Sequence, residues 1–364
     1  MSTERLRRAR EVLQAHDVDA LLVGPGADLR YLIGYHALPL ERLTMLIVPA
    51  RGDATLIVPQ LEAARATAAG ASARAELVAY GETDDPMQLV VEHVVAGDDA
   101  RLAVADRVWA MFLLRLQARL PGATWVAGSE LMQQLRVRKD ADEIAALRDA
   151  AHAIDAVHAQ IPKLLVAGRT EREIGRDIEE LVREGHDDVN FVIVASGPNG
   201  ASPHHETGDR SLQRGDAIVV DIGGTRAGYC SDSTRNYALG PVDPAYAEIH
   251  RVLELAQQAA IDAVAPGVAA EAVDAAARTV IADAGFGDAF VHRTGHGIGV
   301  DEHEAPWIVE GDATPLAVGM AFSVEPGIYL PGRFGARIED IVAVSDDGCQ
   351  VLNAAPRDLV VVDA

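Results

Sequence analysis

Five residues in the C-terminal half have the types and settings for metal chemistry: Asp221 in VVDIGG, Asp232 in GYCSDSTRN, His296 in TGHGIG, Glu325 in SVEPGIY and Glu339 in ARIEDI. Four carboxylates and one imidazole make an oxygen-rich, anionic ligand set whose charge balances two divalent ions. If the five converge, a hydroxide held between the ions is a nucleophile at neutral pH, and the chemistry is two-metal hydrolysis.

Each residue also has a plainer reading. Asp221 closes the apolar run AIVVD, where an unpaired carboxylate is costly to bury. A metal removes that cost, and so would a turn at Gly223 and Gly224. Asp232 stands eleven residues further on, and a hairpin would return it beside Asp221. His296 has glycine on both sides, which lets the backbone approach closely and exposes the imidazole. Glu325 follows the apolar AFSV and Glu339 precedes IVAV. Acids in such runs need a partner, and a salt bridge to Arg333 or Arg337 is the alternative to a metal.

The elements that must position these residues follow from periodicity and punctuation. Residues 4–16 read as a helix, and ALLVGP, LTMLIVPA, ATLIVPQ and ARLAVAD as short buried strands. QLEAARATAA and VWAMFLLRLQARLP supply intervening helices. This alternation indicates an α/β domain over about residues 1–133, and its sheet is expected to be mixed. The charged segment LRVRKDADEI marks a boundary near residue 138 and leads into a helix over about 141–161. Thr170 and Glu173 form a capping-box pattern opening a helix to about residue 184. DVNFVIVASG is a strand entering the loop PNGASPHHETG. AIVVDIGG and AGYCSDSTRNYAL read as strands joined by a Gly-rich turn. Helices over about 244–264 and on to about 284 are separated by Pro266 and Gly267.

This half carries a faint echo. LVAGRTEREI from Leu165 and VAPGVAAEAV from Val264 lie 99 residues apart, each between two helices. Two such units about a pseudo-twofold axis would leave a cleft between them. Chance similarity between Ala-rich helices is the alternative.

Bulk properties narrow the partners. The chain of 364 residues carries a formal charge of −23, which disfavours nucleic acid and anionic membrane surfaces. Its only cysteines are Cys230 and Cys349, too few for a disulfide framework and in keeping with a reducing compartment. The charged start MSTERLRRAREVL has no apolar signal core, and no apolar run is long enough to span a bilayer. The expected location is the cytoplasm.

Taken together, SGPNGASPHH, VVDIGG, GYCSDSTRN, GHGIGVDEHEAP, VEPGIYLPG and RIED resemble the pita-bread (M24) metallopeptidase family, which includes methionine aminopeptidase, aminopeptidase P and prolidase (Xaa-Pro dipeptidase). The resemblance runs from about residue 138 to 360. The preceding domain is similar to that of the proline-specific branch, which methionine aminopeptidases generally lack. The resemblance implies an α/β creatinase-like domain at 1–137 and an α+β pita-bread catalytic domain with an antiparallel sheet at 138–364. A homodimer is implied as well.

For matching positions the family implies that Asp221 holds one ion, His296 and Glu325 the other, and Asp232 and Glu339 bridge them. Oxygen-rich ligation with one imidazole suits Mn²⁺, with Co²⁺ or Zn²⁺ as alternatives. His204 matches a histidine that contacts the tetrahedral intermediate, with His205 as its neighbouring rival. His303 matches one near the scissile carbonyl. His292 and Arg337 are the implied substrate-binding residues. Arg337 either forks a substrate carboxylate or orients acids. Glu325, or the bridging group itself, relays a proton to the leaving nitrogen.

The implied reaction is hydrolysis of Xaa-Pro dipeptides by a metal-bridging hydroxide. The alternative is aminopeptidase P activity on longer Xaa-Pro peptides. A metal-free, creatinase-like relative or a non-catalytic binder would tolerate lost ligands, and none is lost. Tyr35 and His36, in YLIGYHALP, either reach a site or form a plain turn. Asn236 stands where a hydroxyl residue is expected.

Overall fold

Short Val-, Leu- and Ile-rich runs ended by Pro or Gly build the first of two units, which divide between Arg136 and Val137. The structure, a computed structural model, describes residues 2–94 and 99–363. In the first unit α1 (Ser2–Ala15), β1 (Ala20–Val23), α2 (Ala27–Ile33), β2 (Met45–Pro49), β3 (Thr55–Pro59) and α3 (Ala63–Ala68) are followed by β4 (Glu76–Tyr80), α4 (Pro86–His93), β5 (Arg101–Val104), α5 (Ala110–Arg119), β6 (Thr124–Ala127) and α6 (Ser129–Arg136). The sheet order is β4-β3-β2-β1-β5-β6. β1 runs antiparallel to β2 and parallel to β5, so the sheet is mixed. Its core packs Leu22, Ile47, Ile57 and Leu102 against Val90 and Leu116.

Five of these elements, α2, β4, α4, β6 and α6, are not evident in the sequence. β4 and β6 are largely exposed or half-buried, so their side chains do not form an apolar run. α2 has seven residues, too few to display a helical period. It closes at Gly34, whose φ of 69° is left-handed. In the irregular segment beyond, Tyr35 is buried and His36 is exposed.

The second unit starts at a capping box in which Asp140 and Glu143 satisfy each other's backbone amides. It opens α7 (Ala141–His158). Thr170 and Glu173 do the same for α8 (Glu171–Gly185). Next come β7 (Asp188–Ser196), β8 (Ala217–Arg226), β9 (Tyr229–Leu239), α9 (Pro244–Ala263) and α10 (Ala270–Asp283). The remaining strands are β10 (Gly295–Gly297), β11 (Glu304–Ile308), β12 (Ala321–Val324), β13 (Gly327–Leu330), β14 (Phe334–Arg337), β15 (Asp340–Ser345), β16 (Gly348–Val351) and β17 (Val360–Val362). They form the sheets β17-β9-β8-β7, β11-β10-β12-β15-β16 and β13-β14. Pairing is antiparallel throughout except that β17 runs parallel to β9.

Among the described residues, two cores serve this unit. One joins Ile154, Ile174 and Ile178 of α7 and α8 to Val194, Ile218 and Val220 of the first sheet. The other joins Leu253, Ala256 and Val273 of α9 and α10 to Phe322, Val324 and Val342. The echo between the halves is written in the backbone. Gly168 and Leu212 exchange the same kind of link as Gly267 and Leu316, N–H to carbonyl at 2.9 and 2.7 Å. Glu171 N–H to Arg210 carbonyl and Ala270 N–H to Thr314 carbonyl both measure 3.0 Å. Arg172 to Gly208 and Glu271 to Asp312 both measure 2.9 Å.

The turn between β8 and β9 is not at Gly223 and Gly224, as the glycines suggest, but at Ala227 and Gly228, both with positive φ. Gly223 and Gly224 lie inside β8 because nothing larger fits. A Cβ on Gly223 would sit 2.4 Å from the Phe191 ring, and one on Gly224 2.8 Å from the His186 ring.

Candidate metal centre

β8 and β9 set the register on which the site depends. Asp221 pairs with Thr234, and Asp232 pairs with Gly223. The two aspartates therefore share one face of the hairpin, offset by one pair on that face. β10 presents His296 from the second sheet, where Gly295 and Gly297 flank it. A Cβ on Gly295 would lie 1.8 Å from the Ser323 carbonyl oxygen, and one on Gly297 2.1 Å from that of Ala305. The glycines are thus required for His296 to pass between β11 and β12. Glu325 follows β12, its N–H donating to the Thr294 carbonyl at 2.8 Å. Glu339 lies between β14 and β15, its N–H donating to the Thr234 carbonyl at 3.2 Å.

The nine side chains expected as metal, catalytic or substrate-binding residues line one cavity of about 460 Å³: Asp221, Asp232, His296, Glu325, Glu339, His204, His303, His292 and Arg337. Ligand atoms of Asp232, His296 and Glu339 lie within 4.8 Å of one another. His296 Nε2 is 3.3 Å from Glu325 Oε1 and 3.8 Å from Asp232 Oδ2. Asp221 joins through Arg337, whose Nη2 donates to Oδ2, while Asp221 Oδ1 is buried and has no hydrogen-bond partner among the described residues.

The electrostatics are those of a site built for cations. Burial, and then the neighbouring carboxylates, push Asp232 and Glu339 well above the ordinary carboxylate range. Burial also pushes the His296 imidazole down to about 4, leaving it neutral and able to ligate. Clustered acids, a neutral imidazole and an orphaned carboxylate oxygen are the donors divalent ions take. The residues present therefore fit such ions.

His303 lies beside His296 with the rings tilted by 48° and their centroids 4.1 Å apart. Of the adjacent histidines, His204 lines the cavity, whereas His205 Nε2 donates to Glu171 at 2.8 Å. His292 accepts from the Tyr329 hydroxyl at 2.9 Å, and burial lowers its pKa. Arg337 donates to Tyr329 at 2.9 Å and to Thr234 Oγ1 at 3.1 Å. It stands 3.9 Å from Glu325. Arg333 meets neither Glu325 nor Glu339 but Asp243, on the surface. Tyr35 and His36 belong to the other unit.

Several contributors are not singled out in the sequence. Phe191, Ile193, Pro203 and Arg293 complete the lining, and Arg293 stacks on Trp307 at 4.5 Å. Thr234 Oγ1 donates to Glu339 Oε2 at 2.7 Å, and Ser323 Oγ to Glu325 Oε1 at 3.0 Å. Arg235, buried, donates to the Glu339 carbonyl and to Asp340, each at 2.6 Å. The available signal was position: Ser323 and Thr234 each stand two residues from a candidate ligand, and Arg235 three. Asn236 takes the place of a hydroxyl by donating to the Arg337 carbonyl at 2.7 Å and accepting from Tyr246 at 3.2 Å.

Known proteins resemble this chain over nearly its whole length. Residues 145–346 match the model of metallopeptidase family M24, and residues 5–138 that of the creatinase/prolidase N-terminal domain. The probable dipeptidase PepE of Mycobacterium tuberculosis is 50% identical over 345 residues, covering 94% of this chain and 92% of that protein. An Xaa-Pro dipeptidase of Lactobacillus helveticus is 32% identical, covering 98% of each. The crystal structure of a prolidase from Thermococcus sibiricus superposes with a TM-score of 0.95 at 36% identity, covering 100% of this chain and 99% of that one.

Proposed function

The chain belongs to metallopeptidase family M24, and from that membership we propose that it is an Xaa-Pro dipeptidase working with two divalent metal ions. The observation that carries this reading is the convergence of four buried or half-buried carboxylates and His296 on one cavity. The names of the relatives, a probable dipeptidase and an Xaa-Pro dipeptidase, support the choice of dipeptides. Residues 1–137 are proposed as the creatinase-like domain and 138–364 as the catalytic domain.

Asp221 would hold one ion, His296 and Glu325 the other, and Asp232 and Glu339 both. Mn²⁺ suits this ligand set best, ahead of Co²⁺ or Zn²⁺. When bound, two such ions supply an activated water and polarise the scissile carbonyl. The rest falls to the side chains. His204 and His303 face the cavity with imidazole donors for the oxygen that gains charge as water attacks the carbonyl carbon. Glu325 takes the proton released by that water and delivers it to the proline nitrogen as the C–N bond breaks. Ser323 keeps one Glu325 oxygen oriented for this, at 3.0 Å. His292, held by Tyr329, and Arg337 form the wall proposed to recognise the proline end of the substrate. The tertiary amide before proline has no N–H, so a shaped wall rather than a hydrogen bond to that group must select it.

A cytoplasmic homodimer completes the proposal. Among the described residues no disulfide forms, and no helix is long and apolar enough to cross a membrane. The test is hydrolysis of Ala-Pro by metal-free and Mn²⁺-loaded protein, followed by a comparison of Ala-Pro with an Ala-Pro-initiated tetrapeptide. Activity dependent on Mn²⁺ and greater on the dipeptide is expected. Equal activity without metal overturns the two-metal reading. Preference for the tetrapeptide replaces the dipeptidase by an aminopeptidase P.

A further inference from the structure

Glu171, the first residue of α8, is wholly buried and takes no part in the chemistry above. Its carboxylate accepts five hydrogen bonds, all from segment 196–208. Oε1 receives the Ser196 N–H at 2.8 Å, the Ser196 hydroxyl at 2.6 Å and Asn199 Nδ2 at 3.0 Å. Oε2 receives His205 Nε2 at 2.8 Å and the Gly208 N–H at 3.3 Å. Burial alone would raise its pKa, but the bonds from Ser196, His205 and Asn199 outweigh burial and hold it below the ordinary value. One buried anion therefore gathers the whole loop that carries His204.

The other half of the unit repeats the device. Asp274 on α10 accepts from the Thr294 N–H at 3.1 Å and the Thr294 hydroxyl at 2.7 Å. Thr294 stands two residues before His296. In each half the second helix thus sends a buried carboxylate to the N–H and hydroxyl of one residue, on the segment that brings a histidine to the cavity.

We propose that Glu171 is a positioning residue for hydrolysis, anchoring His205 so that the adjacent His204 is held toward the scissile carbonyl. The proposal rests on the role given to His204 above. An amide at 171 cannot replace the carboxylate, because its NH₂ would face donors on one side. His205 is the better place to intervene, since its side chain is only partly buried and the remaining bonds to Glu171 would survive its loss.

The test uses the full-length, Mn²⁺-loaded protein with His205→Phe, His205→Gln, His204→Ala and the pair His204→Ala/His205→Phe. Bound metal and thermal midpoint are measured beside kcat and KM on Ala-Pro. Misplacement of about 1 Å costs as much as about 100-fold in rate, so H205F is expected to lower kcat about 10-fold or more, with KM and metal content little changed. H205Q, whose amide N–H can reach Glu171, is expected to restore most of the rate. Once His204 is alanine, H205F should cost nothing further. Additive losses in the pair, or wild-type kcat in H205F, overturn the proposal.

A second readout needs no turnover. The His204 ring Cε1–H resonance in ¹³C-labelled protein loaded with diamagnetic Zn²⁺ should move in H205F and return in H205Q. If the wild-type protein fails to hydrolyse Ala-Pro, the substrate reading falls while this resonance still decides the positioning claim. An unmoved resonance overturns it.

Discussion

Thr234 donates its hydroxyl to Glu339 Oε2 at 2.7 Å while accepting from Arg337 Nε at 3.1 Å. One hydroxyl thus orients a proposed bridging ligand and satisfies a buried cation. Thr234→Val keeps the shape and removes both bonds. Outer partners of metal ligands are worth about 10- to 100-fold in metal affinity, and an unsatisfied buried donor costs about 1–3 kcal/mol. T234V should show both losses, read by Mn²⁺ titration calorimetry and urea unfolding. Unchanged Mn²⁺ affinity would remove Thr234 from the site.

Burial, and then the acids around it, raise the pKa of Asp232, so without metal it opposes folding. Asp232→Asn should abolish Mn²⁺-dependent hydrolysis. It should also stabilise the metal-free protein, by on the order of 1 kcal/mol, because it relieves like-charge repulsion. Thermal unfolding in chelator checks the sign. A destabilised metal-free variant contradicts the account of the cluster given above.

His158 is buried between the Tyr237 hydroxyl at 2.9 Å and the Ser233 carbonyl at 3.1 Å. Burial first, then the Arg235 charge, lowers its pKa from 6.5 to about 3. Between these values the unfolded chain binds a proton that the folded chain refuses. Stability from this residue is therefore full above pH 6.5 and lost as pH falls toward 3. The loss at about pH 5 is about 2 kcal/mol. In His158→Gln that part of the acid destabilisation should vanish, seen as a flatter dependence of the urea midpoint on pH.

Lys139 and Glu304 form an ion pair at 2.6 Å with side chains 1% and 9% exposed. Glu304 is adjacent to His303, so the pair ties the start of α7 to a catalytic candidate. Removing one partner of a buried pair costs about 3–5 kcal/mol. Lys139→Met should lose that much in urea unfolding, and Lys139→Met with Glu304→Gln should recover a substantial part. No recovery in the double variant would mean that packing of the lysine stem, not its charge, is what matters.

The candidate ligands were legible because metal chemistry restricts residue type and each sits in a short motif with local constraints. Gly295 and Gly297 illustrate this, since contacts at 1.8 and 2.1 Å forbid any side chain there. The capping box at Thr170 was equally local. Strands β4 and β6 were not legible, because half-exposed edges carry no apolar pattern. Gly223 and Gly224 misled for a related reason: a glycine required by a neighbouring ring looks, in sequence, like one required by a turn.

By itself the sequence determined the two-domain α/β and α+β architecture, the family, and the order and identity of the acids and histidines around the cavity. Only the tertiary structure decided the direction of neighbours. It turns His204 to the cavity and His205 to Glu171, and it gives Arg337 to Asp221 and Arg333 to Asp243. The physical reason is that residue type and local backbone are encoded within a few positions. Which buried donor meets which acceptor depends on partners far along the chain, in these cases 34 to 116 residues away, and is settled only when packing excludes water and each polar group must be satisfied.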